Sequence, residues 1–249
     1  MNSLLKISRD RSVQFLFFIV LVLIVTSAVG FGKLTLEYTF LIVTPLFLLY
    51  CLRKQNSLSV SFVSFLIFSL GGHAFMVFVQ GESGTKIAHV LYMLAYLYLI
   101  VMVLPKFKLK NFDRLIMAYL LAVFCISLYF LYSVFSLLKV VIADDLESLL
   151  FAIKSLGIVL LSFVALGIYL STETKQSIYL LLAVMCFGFS AVINYIEMYY
   201  LYDFNFLIVE RILYVSGLFL VFKYVYLEDT YHKLIVTKTY TSKNILAKL

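Results

Sequence analysis

Long apolar runs recur along the whole chain, separated by short polar breaks. Each predicts a helix crossing about 30 Å of hydrocarbon, at about 1.5 Å of rise per residue. Eight such helices are expected: 12–32, 36–52, one within 55–81, then 87–104, 115–141, 148–171, 179–202 and 204–226. The first run follows Lys6, Arg9 and Arg11 as a secretory leader would, but it ends without an A-x-A cleavage pattern and reads as a retained helix. Pro45 predicts a kink in the second, because proline lacks the backbone donor.

The seventh run carries one polar stripe. Ala183, Cys186, Ser190, Asn194 and Glu197 recur at the three-and-four spacing of a single helical face. Unpaired polar groups in hydrocarbon cost several kcal/mol, so the stripe is expected to face protein or trapped water. Ser69, His73, Met76 and Gln80 share a face of the third helix in the same way. Counting from the helix ends puts His73, Gln80, His89, Lys154, Asn194, Glu197, Glu210 and Arg211 in one half of the membrane, where a cavity or polar network is expected. Two plainer readings stand beside it: a charge-paired network that only fixes helix positions, or side chains that snorkel outward. His89, near the start of its helix, reads as an orienting or interfacial residue. A short echo also links Ala88-His89-Val90-Leu91-Tyr92 to Glu210-Arg211-Ile212-Leu213-Tyr214, as two parallel four-helix halves would produce.

Composition narrows the solvent. Of 249 residues, 64% are hydrophobic and 13% charged, and mean hydropathy is +1.06. That is too little polar surface for a water-soluble core of this length, so the class is an all-α polytopic membrane protein. One membrane domain, 1–227, and a loose polar tail, 228–249, are expected. The net charge of +7 reports orientation. Most of the 20 Lys and Arg fall in the N-terminal segment, every second loop and the tail, while Asp144, Asp145 and Glu147 mark an opposite, acidic loop. By the positive-inside bias both termini are cytoplasmic, with a bacterial inner membrane as the expected location. No basic-aromatic repeat points to nucleic acid.

Cys51, Cys125 and Cys186 lie singly in apolar runs and read as buried, inert thiols, with no metal set and no cofactor. Trp is absent, so the interfacial belt falls to the 19 Tyr, with Tyr195, Tyr199, Tyr200 and Tyr202 crowding one helix end.

Gly72-His73 in the third helix, Ala88, His89 and Tyr92 at the start of the fourth, and Phe187 with Ser190 in the seventh resemble the motifs of the YhhN-like lysoplasmalogenase family, over about residues 36–226. The resemblance implies an eight-span fold and hydrolysis of the vinyl-ether bond of lysoplasmalogens. It also implies two intramembrane aspartates, one to protonate the ether and one to activate water or stabilise the cation. This chain has His73 and Ala191 at those two positions. The expected function is therefore a non-catalytic membrane protein that binds lipid or docks to a membrane-protein partner. The alternative is a hydrolase with a rearranged acid/base site built from His73, Glu197 and Glu210, with Gln80, His89, Tyr92, Lys154, Ser190, Asn194 and Arg211 as its polar network. An ion-coupled transporter is the third reading, favoured by the intramembrane charges but without a Gly/Pro-broken helix pair.

Overall fold

The computed structural model describes residues 2–54, 59–79, 81–107, 112–142 and 144–246, with side chains described between Gln14 and Glu228 apart from several in α1. Among these residues every regular element is a helix. The order is α1 (Asn2–Lys54), α2 (Val60–Phe78), α3 (Glu82–Val103) with a short 3-10 turn after it, α4 (Arg114–Val141), α5 (Asp145–Thr172), α6 (Lys175–Tyr199) and α7 (Phe204–Leu246). Six of them, α2 to α7, are long and apolar enough to cross a membrane. The chain thus has the build of an integral membrane protein, with Leu115, Tyr129 and Val140 of α4 among the large side chains left facing outward.

The two N-terminal runs both fall within α1, whose apolar pieces among the described residues are Phe17–Ala28 and Thr35–Tyr50. Pro45 lies inside α1 without ending it. Yet α1 is not straight: Ser27 Oγ and Thr39 Oγ1 lie 2.9 Å apart across twelve residues, a separation that a straight helix would stretch to about 18 Å. Both pieces also reach the same part of α7, Phe17 stacking on Phe219 at 4.2 Å and Tyr50 meeting Phe222 at 5.9 Å. The two apolar pieces therefore lie side by side as a hairpin.

The tail departs from expectation. No Gly or Pro interrupts 228–246, and the backbone continues α7 as helix to Leu246 rather than as a loose extension.

Neighbouring elements close a ring in the order α1, α2, α3, α5, α6, α7 and back to α1, with α4 outside it against α5. This placement explains Cys125, which is exposed on α4, against the expectation of a buried thiol; Cys186 is half-buried, and the Cys51 side chain lies outside the described residues. Tyr195 corrects the belt in the same sense. It is buried, with its ring 5.3 Å from Phe151, while Tyr200 and Tyr202 are exposed. Where α5 begins, Asp144 accepts from the Leu146 N–H at 2.8 Å and pairs with Lys86 of α3. The Lys86 ammonium holds the Asp144 carboxyl below its ordinary value.

The middle of the ring is aromatic. Phe187 of α6, fully buried, meets Phe65 of α2 at 6.0 Å, Tyr96 of α3 at 6.2 Å and Tyr214 of α7 at 5.4 Å. Its ring fits because Gly217 of α7 has no side chain: a Cβ there would come within 2.6 Å of it. With neighbours on three helices, the ring has nowhere to retreat. Gly217→Ala is therefore expected to cost about 1–3 kcal/mol and to lower the thermal midpoint of the purified protein in detergent. Gly188→Ala, whose Cβ meets only Ile158 at 3.9 Å, should leave the midpoint unchanged or raise it, since Ala is the better helix former.

Candidate functional site

Helical spacing decides which polar groups meet. On α2, Ser69, His73 and Met76 share a face; on α3, Tyr92 and Tyr96 are one turn apart; on α7, Glu210 and Tyr214 are one turn apart, with Arg211 beside them. These faces converge with Lys154 of α5, Ser190, Ala191 and Asn194 of α6, and Glu37 and Phe40 of α1. Apart from Ser69, they line a cavity of about 50 Å³. That is room for a few water molecules.

His73 stands at its centre. The Tyr92 hydroxyl lies 2.6 Å from His73 Nδ1, while Nε2 is buried without a hydrogen-bond partner. Three rings hold the imidazole edge-on, Phe40 at 4.5 Å, Tyr214 at 4.8 Å and Tyr92 at 5.1 Å. Tyr214 is fixed by a hydrogen bond with Ser69. Tyr92 approaches because residue 72 is glycine: a Cβ there would sit 2.8 Å from its ring.

The charges are arranged around this histidine. Glu210 Oε1 accepts from the Ser190 hydroxyl at 3.0 Å. Its Oε2 lies 3.2 Å from Arg211 Nε, but the two make no hydrogen bond, and both atoms are buried. The Arg211 guanidinium instead covers the Phe40 ring at 4.3 Å. Lys154 is 6% exposed, its Nζ held over the rings of Phe151 at 5.1 Å and Tyr92 at 5.7 Å.

Of the residues singled out from sequence, His73, Tyr92, Lys154, Ser190, Asn194, Glu210 and Arg211 line the cavity. Gln80 lies outside the described residues. Glu197 is buried on α6 but outside the lining, and the charge next to Arg211 is its chain neighbour Glu210. His89 is not interfacial. It is 1% exposed, against Phe151 at 6.1 Å, with neither ring nitrogen hydrogen-bonded. The reason is that α3 starts at Glu82, about five residues before the predicted start, which sinks His89 about 10 Å below the helix end. Glu37, Tyr96 and Tyr214 were not anticipated. For the two tyrosines the signal was present, since each lies four residues beyond a residue already singled out. Among the described residues no three His, Cys, Asp or Glu side chains gather as a metal site needs.

A second space adjoins the first. Between α4, α5 and α6 runs an apolar groove of about 440 Å³, lined among others by Phe130, Phe151, Ile158, Val184, Phe189 and Ala191. Ala191 lines both the groove and the polar cavity.

Comparison of the chain with protein-family models, with curated proteins and with solved structures finds no match.

The Glu210–Arg211 contact lends itself to a double-mutant cycle. Glu210→Gln keeps a partner for Ser190 but leaves a buried guanidinium without a counter-charge, and is expected to cost about 3 kcal/mol. Adding Arg211→Met should restore at least half of that, read as the thermal midpoint in detergent. Additive losses would show that the two charges do not depend on each other.

Proposed function

We propose that the chain is an integral membrane protein that binds an amphiphilic lipid, with the polar end at the cavity and the apolar portion in the groove. The observation that carries this reading is Ala191. A single methyl group there belongs to the walls of both a charged cavity and an apolar groove, the two environments that an amphiphile needs side by side. We read the topology as eight spans with both termini cytoplasmic, in a bacterial inner membrane. The hairpin within α1 and the distribution of Lys and Arg support it. A YhhN-like fold fits the same picture, because His73 and Ala191, at the positions of the implied aspartates, line one cavity. With neither aspartate present, the binding space outlasts the acid–base pair, and binding without turnover is the preferred function.

Glu210 favours a second reading. Bonded to Ser190, the residue before Ala191, it brings a carboxylate back to that side of the cavity. His73 and Glu210 would then form a rearranged acid/base pair for an ether hydrolase. Glu197, outside the lining, has no place in that pair.

Protein purified from its native membrane in mild detergent is expected to carry about one extractable amphiphile per chain. Gly188→Leu, which fills the groove, should reduce that severalfold. Wild-type protein free of bound amphiphile would sink the proposal. Lysoplasmalogen offered in micelles should release aldehyde no faster than micelles alone; release that disappears in both His73→Ala and Glu210→Gln would establish the hydrolase instead.

A further inference from the structure

Two cations line the cavity, Lys154 and Arg211, and of these only Arg211 has a carboxylate within ion-pair distance among the described residues. Lys154 is more than nine-tenths buried, and only aromatic faces meet its ammonium among the described residues. The Tyr92 hydroxyl and Nδ1 of His73 share one hydrogen bond, and Nε2, buried on the other side of the ring, has no partner. Arg211 Nε makes no hydrogen bond either. On the acceptor side, Glu210 is committed to Ser190 through one oxygen and lies against Arg211 with the other, and Glu37 is half-buried. A buried ammonium with no carboxylate at ion-pair distance is costly, so Lys154, beside the unpartnered His73 Nε2 and Arg211 Nε, points to an anionic group that completes the site.

Size and surroundings limit what that acceptor is. About 50 Å³ admits a carboxylate but not a glycerophosphate headgroup. A carboxylate is acceptor-only and suits a guanidinium and an ammonium together. The way out is apolar. Phe151 supports the Lys154 ammonium with its ring and lines the groove, and Ala191 is the small residue common to both spaces. The groove's size and lining suit a hydrocarbon chain.

We propose that the ligand is a long-chain carboxylate: a fatty acid whose chain lies in the α4–α5–α6 groove and whose head passes Ala191 to meet Lys154, Arg211 and His73 Nε2. This rests on the lipid-binding reading above and names its ligand class. The test is native mass spectrometry of the delipidated full chain with palmitate, hexadecanol and lysophosphatidylcholine offered separately. Palmitate is expected to add once per chain, about tenfold more tightly than hexadecanol, as a charge-assisted hydrogen bond would give. Lys154→Met should erase that preference while hexadecanol still binds. Ala191→Phe, which leaves every charge in place, should weaken palmitate about tenfold by blocking the passage. Hexadecanol or lysophosphatidylcholine binding as tightly as palmitate would overturn the carboxylate assignment and leave lipid binding intact. Undiminished palmitate binding by Lys154→Met or Ala191→Phe would also overturn it. Binding of none of the three would overturn the lipid-binding reading itself.

Discussion

Glu210 and Arg211 are consecutive residues of one helix, so their side chains leave the axis about 100° apart and cannot both turn to a single partner. Each takes a different neighbour. Glu210 turns to Ser190 on α6, Arg211 to the face of Phe40 on α1, and they keep only a 3.2 Å contact behind them. This divergence joins α6 and α1 through α7, the element that packs against both. It sits one turn from Tyr214, which reaches Ser69 on α2 and the ring of Phe187 on α6. Two turns of α7 therefore hold three other helices, and the cavity is the space that their polar groups leave between them.

The aromatic layer beside it does the complementary work. Phe187 is held by rings from α2, α3 and α7 and seated over Gly217, so the bundle is rigid next to the cavity by close packing rather than by charge. Rigidity matters because an unpartnered buried ammonium such as Lys154 would otherwise be relieved by a small helix shift or by snorkelling. Phe151 and Tyr92 offer it ring faces instead, an attraction that grows with desolvation. On the other side of the ring α4 packs mainly along α5 and meets α6 at one end, where Leu138 joins Phe151 and Tyr195, and the groove lies between these three helices.

Much of this was legible in the chain. Eight apolar runs predicted eight helices, of which six are the spans α2 to α7, and the three-and-four spacing of Ser190 and Asn194, with the depth of His73 and Lys154, predicted that they would meet. The N-terminal pair was read as two runs, 12–32 and 36–52, and the Ser27–Thr39 contact places the reversal between them inside α1. His89 was misplaced by an error of five residues in a helix start, since Glu82 and Lys86 looked like loop while serving as the first turns of α3. Partner choice was not legible at all. Whether Arg211 faces Glu197 or Glu210 depends on helix rotation, which composition does not encode. The echo between 88–92 and 210–214 does have a geometric counterpart: its two tyrosines, Tyr92 and Tyr214, flank the same His73 ring.

That pairing bears on what positions 73 and 191 contribute to the cavity. An aspartate at position 73 would be an acceptor for the Tyr92 hydroxyl and for a nearby cation; imidazole shares one hydrogen bond with that hydroxyl and leaves Nε2 without a partner. An aspartate at 191 would set a second acceptor between the cavity and the groove; alanine leaves only a methyl group in both linings. Neither His73 nor Ala191 brings a carboxylate to a space that holds Lys154 and Arg211. Glu210 answers Arg211, while Lys154 has only ring faces, and membrane interior offers no water to answer it beyond the few that the cavity holds. A ligand that brings its own carboxylate, as proposed above, would give that ammonium the acceptor it lacks.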